Sequence, residues 1–217
     1  MKIYVGGSSK NKFLPLDNIR EKYLIDVPHE GDNIDFLNPW YCELTGLYYL
    51  WKHVDDDIVG LEHYRRYFVN NKGNLLSEYE IRTALTDCDV LCIKEDYSRR
   101  SPNCIISYWD RNRITIEIRK FLLFIKHFIG EDFYNFCEQY MYGNWHALGN
   151  MFIGKKTVMN EYCEYVFDLT LNYIEAERNF HREIPRRMIG YFTEFLFGAW
   201  LMYNKKKIKF FNVRMIR

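Results

Sequence analysis

The sequence predicts an α/β domain of three layers around a mainly parallel sheet. Two observations lead to that class. Short apolar runs of strand length alternate with longer stretches whose apolar residues recur every three to four positions. The helical pattern then dominates residues 111–217, while 1–110 hold most of the short runs. With 217 residues, one domain spanning 1–217 is the default, and no repeat, low-complexity tract or linker divides it.

Lys2-Ile3-Tyr4-Val5 reads as the first buried strand. It stops at Gly6-Gly7-Ser8-Ser9-Lys10, a loop able to bring backbone N–H groups against a ligand. The stretch to about Asp35 is polar with little periodicity. Asn38-Pro39 then opens a helix. Asn38 is placed to cap it, Pro39 suits a first turn where its missing N–H has no partner, and Leu44, Leu47, Tyr48 and Trp51 form an apolar face. Ile58 to Leu61 is a strand after a turn of three aspartates. Ser77 and Glu80 spell a capping box for a helix to about Thr86, and Val90–Ile93 is a strand ending at Lys94-Glu95-Asp96. Residues 97–110, among them Arg100, Ser101, Pro102 and Asn103, read as a surface connection or a mobile loop over a site. From Ile114 onward, Ile118, Phe121, Leu122, Ile125 and Ile129 mark a helix closed by Gly130; Phe133, Cys137 and Tyr140 mark another closed by Gly143. A strand is expected within 145–154, a helix from about Val158 to Glu177, a last helix after Pro185 to about Tyr203, and a strand over Ile208–Val213.

The totals exclude some function classes. With 30 basic and 29 acidic residues the net charge is +1, so no overall field draws the chain to nucleic acid. Six scattered cysteines include no Cys-x-x-Cys pair, and buried free thiols in a reducing, cytoplasmic compartment are the simplest expectation. No secretory leader opens the chain and no run is long enough to span a membrane. Lys205, Lys206, Lys207 and Lys209 are candidates for peripheral contact with an anionic membrane face. Arg182 with Arg186-Arg187 reads as solvated surface.

The most informative stretch is Ile58 to Phe68, where an apolar run ends in Glu62-His63-Tyr64-Arg65-Arg66. Ionic groups have no packing reason to cluster at a strand end. In open α/β sheets that end is where ligands bind, and guanidiniums beside an imidazole suit phosphate. If the chain stays extended, His63 and Arg65 share one face and Tyr64 and Arg66 the other, which favours Arg65 as the ligand arginine. Asp55-Asp56-Asp57 and Asp87-Cys88-Asp89 precede their strands and read as turns rather than metal ligands.

These blocks also carry a resemblance. Asn38-Pro-Trp-Tyr-Cys-Glu-Leu-Thr-Gly-Leu-Tyr, Val59-Gly-Leu-Glu-His-Tyr-Arg-Arg-Tyr-Phe, Asn150-Met-Phe-Ile and Gly190-Tyr-Phe-Thr-Glu-Phe-Leu occur in this order. The chain is similar to a group of glycosyltransferases of bacterial capsular and exopolysaccharide clusters, catalogued as a domain of unknown function. It departs from that pattern at Gly7-Ser8-Ser9-Lys10, where a His-Lys is usual, and at Thr193-Glu194-Phe195-Leu196, where an arginine is usual after the glutamate. The resemblance implies a GT-A-like nucleotide-sugar fold with 1–110 as the donor half and 111–217 as the acceptor half. It implies transfer of a hexosyl unit, galactofuranosyl among the candidates, from a UDP-type donor to a glycan or lipid-linked acceptor. A non-catalytic binding protein of the same fold is the alternative.

On that footing His63 and Arg65 are expected to stabilise the leaving diphosphate, and Glu194 to act as base, with Glu62 in reserve. Tyr4, Gly6, Gly7, Lys10, Asn38, Tyr41 and Arg66 are expected at the nucleotide, and His146 and Asn150 at the sugar or acceptor. No metal ligand is assigned. Manganese or magnesium is not the favoured source of positive charge, because the cationic cluster can supply part of it.

Overall fold

A computed structural model of the chain describes residues 1–99, 104–106 and 115–216. Arg100, Ser101, Pro102, Asn103 and Ile114, named above, lie outside them. The described strands are β1 (Lys2–Gly7), β2 (Arg20–Leu24), β3 (Ile58–His63), β4 (Arg66–Val69), β5 (Val90–Asp96), β6 (Trp145–Ala147), β7 (Phe152–Lys155) and β8 (Ile208–Met215). The helices are α1 (Asn38–Tyr41), α2 (Leu44–His53), α3 (Glu78–Ala84), α4 (Thr115–Phe128), α5 (Glu131–Met141), α6 (Lys156–Asn179) and α7 (Met188–Tyr203).

The sheet is mixed, which corrects the expected mainly parallel one. β1 runs parallel to β2 and β3, and β5 to β8. The β3–β4, β3–β7, β4–β8, β5–β6 and β5–β7 pairs are antiparallel. Through these pairings β3, β7, β5, β8 and β4 close on themselves like a barrel. Direction was hidden because β7, buried through Phe152, Ile153 and Gly154, carries the same continuous apolar run as a parallel core strand.

Period-2 alternation places one apolar cluster on each face of the sheet. Val59, Leu61, Val90 and Cys92 pack with α2, α4, α5, α6 and α7. Ile3, Ile58, Leu91, Ile93 and Ile153 pack on the other side with Ile81, Ala84 and Leu85 of and after α3. The capping box of α3 forms as expected: Glu80 N–H donates to Ser77 Oγ at 3.3 Å, and Ser77 N–H to Glu80 Oε2 at 2.9 Å.

Three local expectations change. The stretch read as featureless holds β2, an edge strand whose Arg20-Glu21-Lys22 hides the period, with only Arg20 and Tyr23 buried. The helix begun at Asn38 breaks at Cys42 (φ 53°) into α1 and α2, and Asn38 makes no side-chain cap. The strand expected within 145–154 is two strands, interrupted by a turn through Gly149 (φ 56°), and both run antiparallel to β5.

Candidate active site

A cleft of about 670 Å³ opens at the carboxyl ends of β1 and β3, and elements far apart in sequence wall it. Parallel pairing sets Gly6 beside His63, and Tyr64 N–H donates to Gly6 O at 2.9 Å. The chain does not stay extended after His63. It turns at Tyr64-Arg65 and returns as β4, so His63 faces Arg66, correcting the expected partnership of His63 with Arg65. Arg65 lines the cleft from an exposed position with its guanidinium 5.1 Å from the Tyr64 ring. Arg66 is the more enclosed arginine, and its Nε is buried without a hydrogen-bond partner among the described residues.

The helix break supplies the next wall. Asn38, Pro39, Cys42 and Glu43 line it, and Glu43 Oε1 lies 3.3 Å from His63 Nε2, an ion-pair contact without hydrogen-bond alignment. Burial pushes the Glu43 carboxyl up, but His63 and Arg187 outweigh it and hold it down to about 2. Opposite stands α7, whose approach and first turns bring Arg186, Arg187, Tyr191 and Glu194 to the cleft. Arg187, Tyr191 and Glu194 are spaced i, i+4, i+7 and share one helix face. Burial and then the Glu43 carboxylate push Glu194 up to about 8, against the opposing pull of Arg66 and Arg187. The third wall is the β5–β6 ladder, where Glu95 pairs with His146. His146 Nε2 lies 3.2 Å from Tyr97 Oη and 3.5 Å from Glu95 Oε2, and its Nδ1 is buried without a partner among the described residues.

Of the residues singled out in sequence, the cleft thus gathers Gly6, Gly7, Asn38, His63, Arg65, Arg66, His146 and Glu194. Five others lie off its wall. Tyr4 packs in the core with its ring 5.5 Å from Tyr23. Tyr41 is fully buried and donates to Thr170 Oγ1 at 2.9 Å, because the helix break turns it inward. Asn150 is buried in the β6–β7 turn and donates to Gly190 O at 3.4 Å. Lys10 is exposed, since β1 continues through Gly7 and the loop starts later than expected. Glu62, the reserve base, faces away and is locked to Arg20 (Nε to Oε2, 2.8 Å) and Phe68 N–H (2.9 Å).

The aspartate runs sit in turns ahead of β3 and β5. Asp57 pairs with Arg82 at 2.7 Å and Asp89 with Lys155 at 3.0 Å. In the basic run, Lys206 pairs with Glu161 at 2.5 Å while Lys205, Lys207 and Lys209 are exposed. Among the described residues no helix is long and apolar enough to cross a membrane.

Sequence reasoning missed Glu43, Glu95, Arg186 and Arg187 as cleft residues. A signal for Glu43 was present: it shares the inward face of Leu47 and Leu50 at i+4 and i+7, so it continues a buried apolar stripe. The arginines carried none, because their place depends on Arg187 adopting a left-handed backbone (φ 66°) with its N–H bonded to Pro39 O at 2.8 Å.

An α/β domain with cations and carboxylates converging at the carboxyl ends of two parallel strands belongs to the class that binds a ligand across its sheet edge. The model of the domain of unknown function DUF4422 matches residues 1–206, and the chain belongs to that family. A search among curated proteins finds no match. The fold is similar to that of part of the WbbM bifunctional glycosyltransferase in its apo structure, with a TM-score of 0.80 and 20% identity over 99% of this chain. This chain spans 45% of the length of that protein.

Proposed function

We propose that the chain is a glycosyltransferase that moves a hexosyl unit from a nucleoside-diphosphate sugar, UDP-linked by preference, onto a glycan or lipid-linked acceptor. The observation that carries this reading is the opposition across one cleft of a carboxyl raised to about 8, Glu194, and the guanidiniums of Arg65, Arg66 and Arg187 beside the His63 imidazole. The GT-A-like reading of the fold draws on parallel β2-β1-β3 followed by antiparallel β7 and by β5, with the cleft over the β1 and β3 ends. Likeness to one part of a bifunctional glycosyltransferase supports it.

The chemistry follows from the charges. As the sugar leaves, negative charge grows on the diphosphate, and preorganised guanidiniums stabilise that charge more than the ground state. Arg66, with an unpartnered Nε, is set to meet a phosphate oxygen, and Arg65 and Arg187 flank it. A carboxylate that binds its proton near pH 8 is a stronger base than an ordinary one. Glu194 would take the acceptor hydroxyl proton as the oxygen attacks the anomeric carbon and the diphosphate departs. Gly6 and Gly7 leave the β1 end bare, so a nucleotide can approach its backbone.

Thermal-shift screening against UDP-, GDP- and CMP-sugars, with and without manganese, tests the reading. A shift with UDP-hexose that persists in chelator, together with transfer that Glu194→Gln abolishes, is expected. Absence of binding to every nucleotide sugar would remove it.

A further inference from the structure

We infer that a second cavity, which shares Arg186 with the cleft as a lining residue, is a subsite for an anionic saccharide. It has about 460 Å³ and is lined by Trp40, Arg178, Arg182, Glu183, Ile184 and Arg186 among others. This inference rests on the transferase reading above and deepens it by naming the acceptor class.

Two consecutive residues of α1 divide the two spaces: Pro39 walls the cleft and Trp40 the cavity. The segment before α7 is pinned to that divider at both ends. Trp40 Nε1 donates to Ile184 O at 2.9 Å, and Arg187 N–H donates to Pro39 O at 2.8 Å. Arg186, between them, lines both spaces. An occupant of the cavity is therefore one side chain away from the space that holds Glu194.

The cavity has an excess of positive charge. Three arginines face one carboxylate, Glu183, and Arg182 is the one that is paired, with Glu177 at 3.1 Å. Among the described residues Arg178 and Arg186 have no carboxylate within ion-pair distance. Arginine forks match a planar carboxylate or a phosphate in two-point contact. An indole beside them offers a flat apolar face to the C–H side of a sugar ring. A neutral glycan would use the indole but offer the guanidiniums only uncharged hydroxyl acceptors; a free inorganic anion would use the guanidiniums and leave the indole idle. A saccharide bearing a uronate or phosphate uses both.

Isothermal titration of the full chain at low salt tests this with three probes: tetragalacturonate for carboxylate, glucose 6-phosphate for phosphate, and maltotetraose as neutral control. At least one anionic probe is expected to bind at least tenfold more tightly than maltotetraose, and which one does so names the group. Arg178→Ala, at an exposed position outside the cleft, should weaken that binding about tenfold without changing UDP affinity or melting temperature. Lys209→Ala, an exposed cation elsewhere, should change neither affinity. Equal affinity for charged and neutral probes, or anionic binding indifferent to Arg178→Ala, overturns the assignment. UDP binding without anionic saccharide binding sinks the subsite alone; saccharide binding without UDP binding sinks the transferase reading and leaves the subsite standing.

Discussion

Replacing Glu194 by Gln should stabilise the folded chain, and increasingly so as the pH rises. Below about pH 4.5 the carboxyl is neutral in both folded and unfolded chains, so it costs nothing. Between the ordinary value of 4.5 and the folded value of about 8, the unfolded chain releases its proton while the folded chain keeps it, and stability falls as pH rises. Above about 8 the folded chain carries the charge at full cost. At roughly 1.4 kcal/mol per pH unit this interval amounts to about 5 kcal/mol, and relaxation of an open cleft reduces it to a few. Glutamine keeps the neutral shape and has no such cost. Glu43 is ionised throughout this interval, with its proton lost near pH 2, so it does not contribute to the slope. For a chain of this size each kcal/mol moves Tm by about 2–4 °C. The assay is calorimetry of both proteins from pH 5 to pH 8.5. The lead in Tm of Glu194→Gln should grow by about 5 °C or more across the range, while transfer is lost. A lead that stays constant with pH would refute the argument that this carboxyl is held neutral by its surroundings.

The same group predicts that kcat/KM for transfer climbs about tenfold per pH unit towards a plateau near pH 8, which a pH–rate profile would show. Arg66→Ala should weaken UDP binding by about tenfold or more by titration, the worth of one charge-assisted hydrogen bond. Glu62→Ala should cost up to about 3 kcal/mol in urea denaturation, since it removes the buried partner of Arg20 and leaves that charge to Asp17 alone, yet leave UDP affinity intact; a large loss of binding would return Glu62 to the site. Gly7→Ala would set a Cβ 2.9 Å from both Phe13 Cζ and Tyr64 Cβ, and the displaced turn should lower UDP affinity more than the roughly 1–3 kcal/mol it costs in stability.

What could be read from the sequence was what local pattern encodes. The capping box at Ser77, the α4 face of Ile118, Phe121, Leu122 and Ile125, and the ionic exit of β3 are all statements about neighbours within one or two turns. What could not be read depended on non-local geometry. β2 is a strand because it pairs with β1, and its Arg20 finds Glu62 one strand further on, 42 positions away; nothing within Arg20-Glu21-Lys22 announces either partner. Tyr41 looked like a ligand residue because an unbroken helix would have placed it to one side of the apolar face, near a helix start that attracts anions. Arg182 and Arg186-Arg187 looked like solvated surface because charge runs usually are, and their two cavities exist only once α1 docks on the approach to α7.

That docking explains why two non-glycine residues hold left-handed backbones on facing walls of one cleft. A positive φ costs about 1–3 kcal/mol and persists where surrounding contacts over-determine it. At Cys42 (φ 53°) the reversal ends α1 and lets α2 begin with Glu43 aimed at His63; at Arg187 (φ 66°) it starts α7 so that Tyr191 and Glu194 follow on the cleft face. Helices that ran straight through either point would lose the meeting of the two carboxyl groups. Glu43 is what helps raise Glu194, so the strain at Cys42 and the basicity of Glu194 are linked through one helix break. Of the four non-glycine residues with positive φ among the described residues, these two set a carboxyl against its partner, and the position after Glu194 shows a related division of labour. Phe195 is buried in the core, so the cations facing Glu194 come from β4 and from the approach to α7.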